Sequence, residues 1–282
     1  MPKYYSQEEV EQAIPEYSFE EHIASGGFKD VFLAKREGEE TVVKLIPVNH
    51  PSRRDRAHRE AEAMQKIESD SFVDLKNFFE TEVAGKTTFV IEEEYIGGDT
   101  LDQAINSDNY GLDLGMQVGQ TLLDLLVELD EKDIIHRDIK PQNMMVDEKG
   151  IVRVLDVGIV RFEERESLTP DHLDRLGTPN YGAPEQLNYD KELQSIRTDL
   201  FSTGIVIFES ITGTHPFSGT GRSISDAIVR GERQSITDYI EDQELAEDLE
   251  YFTETLTATE PHRRFRKPDH AKEYFEDISR KV

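Results

Sequence analysis

One run limits what this chain can become more than any other: Ile134-Ile135-His136-Arg137-Asp138-Ile139-Lys140-Pro141-Gln142-Asn143-Met144-Met145-Val146. Apolar residues bracket a polar centre in which an acid, a cation and an amide stand at fixed offsets. The Asp138 carboxylate can accept a proton, the Lys140 ammonium can offset a migrating negative charge, and the Asn143 carbonyl oxygen can ligate a hard cation. A surface turn capped by Asp138 is the plain alternative, and the mixed chemistry of the run argues against it.

Composition excludes several classes of function. With 282 residues, 36% of them hydrophobic and 32% charged, the chain reads as soluble and globular, large enough for one big domain or two lobes. No apolar run approaches the ~18 residues needed to cross a bilayer. The stretch Met1-Pro2-Lys3-Tyr4-Tyr5-Ser6 lacks the apolar core of a secretory signal. The absence of cysteine removes disulfides, thiolate catalysis and sulfur-based zinc sites, which fits a cytoplasmic protein. A net charge of −27 repels nucleic acid and anionic membrane, and suits either a basic partner or a high-salt habitat.

Other segments carry chemistry of their own. Residues 1–16 form an acidic helical extension ended by Pro15. The turn Ile23-Ala24-Ser25-Gly26-Gly27-Phe28-Lys29-Asp30-Val31 sits between two alternating, strand-like runs, where glycines let backbone N–H groups approach phosphates. Thr41-Val42-Val43-Lys44-Leu45-Ile46 is an apolar strand holding one lysine, which either faces a cleft or snorkels to the surface. Ala57, Glu60, Met64 and Ile67 share one helical face, and a carboxylate on that face wants a buried partner. Lys44 is the nearest candidate, and Glu62 is a rival that points away from the face. Val73-Asp74-Leu75 and Thr87–Ile91 read as further strands, for five in all. Leu114, Val118, Leu122, Leu125 and Leu129 form the stripe of an amphipathic helix. The segment 198–209 is apolar nearly all round and reads as a buried central helix in which Asp199 needs partners. Helices are also expected around 224–230, 245–258 and 269–279.

The run His136–Asn143 resembles the catalytic loop of the protein-kinase family, H-R-D-x-K-x-x-N. The 23–31 turn is similar to that family's glycine-rich loop, with Ala24 and Lys29 in place of two of its glycines. Thr41–Ile46 resembles its lysine strand, Glu94–Leu101 its hinge, Asp156-Val157-Gly158 its metal motif, and Ala183-Pro184-Glu185 the close of its activation segment. The resemblance implies an α+β, bilobal kinase-like fold, with a β-rich small lobe over 17–95 and a helical large lobe over 96–282. It implies transfer of the ATP γ-phosphoryl group to a protein hydroxyl, with Asp138 and Lys140 catalytic. Asn143 and Asp156 would hold Mg²⁺, with Mn²⁺ as the alternative. Nucleotide contacts would come from Ile23, Ser25, Gly26, Gly27, Val31, Val42, Lys44, Glu60, Glu94, Ile96 and Met145. It further implies that Lys44 pairs with Glu60, that Glu185 pairs with Arg264, and that Asp199 holds the backbone of the catalytic loop. Counting back from Glu94 puts Glu93 beside the adenine, unless a local bulge restores Ile91 there.

Lys140, with Thr178 downstream, resembles the serine/threonine branch, and the bare catalytic domain resembles bacterial or archaeal members. The expected partner is a protein carrying a serine or threonine acceptor in a basic context, with autophosphorylation and without nucleic acid or membrane. Arg137, Arg161 and the group Arg53, Arg54 and Arg56 would receive a phosphate on Thr169 or Ser167, or else pair with surface carboxylates. Two rival classes are a nucleotide-sensing pseudokinase scaffold and a small-molecule phosphotransferase. The second normally lacks both the H-R-D-x-K-x-x-N loop and the A-P-E segment.

Overall fold

The computed structural model describes residues 4–26, 29–48, 50–156 and 180–282. These fall into two compact units, one holding residues up to 68 together with 73–96, the other 69–72 and everything from 97 onward. The expectations placed on Gly27, Phe28, Val157, Gly158, Arg161, Ser167, Thr169 and Thr178 lie outside the described residues.

The smaller unit begins with helix α1, Gln7–Ala13. Ser6 caps it reciprocally: the Ser6 amide donates to Glu9 Oε2 at 2.8 Å, and the Glu9 amide donates to Ser6 Oγ at 3.3 Å. Pro15 cannot continue the helix, which ends at Ile14. The segment is no loose tail. Tyr5, Val10 and Ile14 are buried in one core with Tyr17, Phe19, Phe32, Val43, Leu45 and Val90.

That core covers one face of a five-stranded antiparallel sheet made of β1 (Ser18–Gly26), β2 (Lys29–Arg36), β3 (Glu39–Pro47), β4 (Leu75–Val83) and β5 (Lys86–Glu94), in the order β1-β2-β3-β5-β4. Two tight hairpins set its register. Glu37 and Gly38 link β2 to β3, Ala84 and Gly85 link β4 to β5, and all four have positive φ, the conformation that matches strand twist at a two-residue turn. The strand expected over 73–75 instead starts at Leu75 and runs to Val83. It is an edge strand carrying Lys76, Glu80 and Glu82, and charge on an edge guards against stray pairing while hiding the strand from an apolar-run reading. On the opposite face, Ala57 and Ala61 of helix α2 (Pro51–Met64) pack on Ile46, Val48, Phe89 and Ile91.

The larger unit is helical around a small three-stranded sheet, β6 (Asp99–Thr100), β7 (Met144–Val146) and β8 (Val152–Val154). Helix α3 (Leu101–Asn106) follows β6, and helix α4 (Leu112–Glu131) buries Val118, Leu122, Leu125 and Leu129 as its stripe requires. Beyond the short helix α5 (Pro184–Leu187) comes α6 (Ile196–Thr212), buried along nearly its whole length and ended by Gly213 in the left-handed conformation. Helices α7 (Ile224–Arg230), α8 (Gln243–Leu256) and α9 (Pro268–Ser279) complete the unit. Gly119 of α4 lets α9 approach, since a Cβ there would sit 2.2 Å from the ring of Phe275.

Candidate active site

In the larger unit the chain from Ile134 to Lys140 follows no regular element, turns through a 3₁₀ helix at Pro141–Asn143 and enters β7. Asp199, in the first turn of α6, fixes this path. Its Oδ2 accepts the His136 N–H and its Oδ1 the Arg137 N–H, each at 2.7 Å. Burial pushes the Asp199 carboxyl up to about 7, while the two N–H donors pull the other way. Arg137 has a φ of 65°, a strained conformation for a residue with a Cβ, and the two bonds on either side of its peptide hold it there. Gln186 of α5 adds a third restraint through its amide N–H to the Arg137 carbonyl, at 3.1 Å.

Three predicted residues converge on this stretch. Lys140 Nζ lies 2.7 Å from both carboxylate oxygens of Asp138. Asn143 Nδ2 donates to Asp138 Oδ2 at 2.8 Å and to the Asp138 carbonyl at 2.9 Å. With the amide nitrogen committed to Asp138, the carbonyl oxygen is the Asn143 atom left to meet a cation. The Leu155 N–H donates to the backbone carbonyl of Asn143 at 2.9 Å, so the end of β8, and Asp156 with it, is tied to the same loop. Among the described residues no cluster of three or more His, Asp or Glu side chains could cage a metal by itself. The set Asp156 and Asn143 instead fits Mg²⁺, which is commonly held by one or two carboxylates with substrate phosphates completing the shell.

His136 is buried, and burial lowers it to about 4 against the pull of Asp138 and Asp156. Its Nδ1 accepts the Asp138 N–H at 3.3 Å, which places the proton on Nε2. That atom finds no hydrogen-bond partner among the described residues. Met145, in β7, sits opposite Thr100 of β6 and Arg153 of β8.

The expected bridge at the close of the activation segment is present. Arg264 Nη1 and Nη2 meet Glu185 Oε1 and Oε2 at 2.6 and 2.8 Å, a bidentate pair in the interior. Thr198 Oγ1 adds a third donor to Glu185 at 2.9 Å, and the Arg264 guanidinium lies over the Phe201 ring.

In the smaller unit the β3–β5 register sets Lys44 opposite Ile91 and Val42 opposite Glu93, without a break from Thr41 to Pro47. All four therefore lie on one face of the sheet. A bulge exists, but on β4 between Leu75 and Asn77, and it leaves β5 unshifted against β3. Sequence reasoning gave Lys44 to Glu60. The structure brings Glu93 to it, with Oε1 2.5 Å from Lys44 Nζ and the Glu93 and Lys44 side chains 2% and 6% exposed. Glu60 is buried on α2 and Glu62 is exposed, as the helical face predicts. The signal for Glu93 was in the sequence: a carboxylate in a buried strand needs a cation, and an antiparallel register puts one within reach.

Ile23 occupies a bulge in β1, between the pairs His22–Phe32 and Ala24–Val31, and is 48% exposed. Val31 is half-buried and Gly26 pairs with Lys29. The Ser25 hydroxyl is committed to Asp30, at 2.5 Å. Glu94 gives its backbone N–H to the Asp74 carbonyl at 3.0 Å, and Ile96 is half-buried at the end of the unit.

The family model described as "Protein kinase domain" matches residues 17–275. A probable serine/threonine-protein kinase of Dictyostelium discoideum is 33% identical over 243 residues, covering 84% of this chain and 44% of that protein. CBL-interacting protein kinase 9 of Oryza sativa subsp. japonica is 30% identical over 207 residues, 71% of this chain and 44% of its own length. The probable serine/threonine-protein kinase PknB of Corynebacterium glutamicum is 30% identical over 212 residues, 72% of this chain and 32% of its own. The matched chain thus spans less than half the length of each of these relatives. With a family model covering nearly its whole length, and with loop, bridge and lysine strand placed as above, this chain belongs to the protein kinase family.

Proposed function

We propose that this chain transfers the γ-phosphoryl group of ATP to serine or threonine hydroxyls of proteins. The observation that carries this reading is the Asp138 carboxylate, held by both Lys140 and Asn143 within 2.8 Å. A carboxylate so oriented can take the proton of an acceptor hydroxyl as its oxygen attacks the γ-phosphorus and the bond to the β-phosphate oxygen breaks. Lys140 offsets negative charge on the moving phosphoryl group. Asn143 and Asp156 are the residues that would hold Mg²⁺ or Mn²⁺. Bound there, the cation neutralises charge on the phosphate oxygens. In the smaller unit Lys44, with Glu60 and Glu93 as its carboxylates, supplies the cation for the α- and β-phosphates. Val42, Ile23, Val31, Ile96 and Met145 would give apolar contact to the base, Glu94 its backbone carbonyl, and Ser25, Gly26 and Gly27 backbone amides to the phosphates.

The net charge of −27 favours acceptors in a basic context and the protein's own hydroxyls over nucleic acid. Among the described residues no helix is long and apolar enough to cross a membrane. Together with the cysteine-free composition, we take this to fit a cytoplasmic site of action. The retained set Lys44, Asp138, Lys140, Asn143 and Asp156 favours catalysis over a silent nucleotide-sensing scaffold. The test is radiolabelled ATP with Mg²⁺ or Mn²⁺, a generic basic protein substrate and phosphoamino-acid analysis of the product. Label on serine or threonine in the wild type, and none in Asp138→Ala, is the expected result. Nucleotide binding without transfer would overturn the reading in favour of the scaffold.

A further inference from the structure

At the described end of the β1–β2 hairpin, the Asp30 carboxylate of β2 ties Ser25 of β1 to the backbone of Tyr4 and Tyr5, which lie outside the sheet. Asp30 is fully buried. Its Oδ2 accepts the backbone N–H groups of Tyr4 and Tyr5 at 2.8 and 3.0 Å. Its Oδ1 accepts the Ser25 hydroxyl at 2.5 Å, across the strand pair that sets Ser25 opposite Asp30. His22 Nε2 reaches Ser25 Oγ at 2.9 Å, extending the chain of bonds back along β1.

The Tyr4–Tyr5 backbone is itself fixed. Tyr5 lies in the core, its hydroxyl 2.5 Å from Thr88 Oγ1 of β5 and the Lys86 ammonium over its ring. Ser6 then opens the capped α1, whose Val10 and Ile14 are buried in the same core. Three donors on one buried carboxylate are a costly arrangement where an apolar side chain of similar volume would pack without a desolvation penalty. What the carboxylate adds is direction. It couples the hairpin end to a segment anchored on β5, two strands away from β2 in the sheet.

We infer that Asp30 is a positioning residue for the phosphate-binding turn, and that the segment from Tyr4 to Ile14 is the strut through which it acts. The inference rests on the kinase reading only for the identity of the ligand at the turn. It also gives a reason why Ala24 and Lys29 are tolerated in place of glycines: the strand ends are held by bonds from behind. Ser25 serves the same device, since its hydroxyl points at Asp30 and leaves phosphate recognition to backbone amides.

The experiment compares steady-state kinetics and amide hydrogen exchange in the full chain. Asp30→Ala removes every acceptor and should raise the KM for ATP about tenfold with kcat within about twofold, the pattern of lost ground-state binding. Asp30→Asn keeps an acceptor for Tyr4 and Tyr5 and should rescue most of that loss. Ser25→Ala should raise KM about threefold, and adding it to Asp30→Ala should cost nothing more, because both act through one contact. Exchange at the Gly26 and Lys29 amides should quicken in each variant. An unchanged KM in Asp30→Ala, or full additivity with Ser25→Ala, overturns the inference. Should Asp30→Ala fail to fold, exchange in the surface variant Ser25→Ala decides: quickened amides support the strut and unchanged amides overturn it. A wild type that transfers no phosphate would refute the kinase reading, and the exchange arm would still judge the strut.

Discussion

Glu93 and Lys44 form a buried ion pair across adjacent strands, Oε1 to Nζ at 2.5 Å, on the sheet face that also carries Val42 and Ile91. Taking either charge out of water is costly, and their attraction repays it only while both are present. Glu93→Met alone takes a carboxylate from a buried cation and should cost about 3 kcal/mol. Lys44→Met alone takes the ammonium from a buried carboxylate and should cost about as much. The double variant should be more stable than either single one, with a coupling of at least ~1 kcal/mol in denaturant unfolding. Additive losses would show that the contact contributes nothing of its own.

Asp138→Asn is the sharpest chemical test. Asn143 Nδ2 and Lys140 Nζ can still meet the amide oxygen, so the loop should keep its path and the melting temperature should stay within a few degrees. Proton acceptance is lost, and kcat should fall by about two orders of magnitude or more. Asp156→Asn should abolish metal-dependent turnover, read as loss of the response to added Mg²⁺. Wild-type turnover in Asp138→Asn would remove the assigned role from this loop.

The Glu185–Arg264 bridge predicts a stability effect without a chemical one of its own. Arg264 also donates to the carbonyls of Ala258, Arg197 and Thr259, so no shorter or monodentate cation replaces it. Arg264→Met leaves Glu185 buried and charged and should cost about 3–5 kcal/mol. Arg264→Lys should recover less than half of that, because an ammonium cannot make the planar two-pronged contact. Chemical denaturation of the three proteins is the check.

These contacts differ in how visible they were in the sequence, for a physical reason. Asp199 was legible because an acid in an all-apolar helix must find donors, and the kinase resemblance named the catalytic-loop backbone as their source. Glu185–Arg264 was legible through the motif that holds each of them. The Lys44–Glu93 pair depends on the register of β3 against β5. Those strands are separated in sequence by α2 and β4, so no hairpin turn fixes their register and no local periodicity shows it. Asp30 was hidden for a similar reason. Its partners Tyr4 and Tyr5 precede it by 26 and 25 residues, and their contribution is backbone N–H, which every sequence offers alike. Strand β4 was shortened in the reading because an edge strand has charges where a central one has valines.

The larger unit carries opposed buried titrations, and one substitution separates them. Glu209 of α6 accepts the Tyr181 hydroxyl at 2.7 Å. Burial pushes its carboxyl up to about 7, opposed by that bond and aided by the charge of Asp102. Burial also lowers His136 and His215 to about 4. Between about 4.5 and 7 the folded chain keeps a proton on Glu209 that the unfolded chain has released, so Glu209 contributes stability as the pH falls through that window and loses it as the pH rises. The histidines act in reverse. Below about 6.5 the unfolded chain protonates them while the fold refuses the proton until about 4, so their contribution is lost on acidification. In the wild type the Glu209 gain offsets part of the histidine loss. Glu209→Gln keeps an acceptor for Tyr181 and removes only the titration. Taken from about pH 7.5 to about pH 5, its melting temperature should fall further than that of the wild type, by about 2–5 °C for roughly 1–2 kcal/mol in a chain of this size. Equal falls in the two proteins would mean that Glu209 is ionised in the fold throughout, with the Tyr181 hydroxyl outweighing burial.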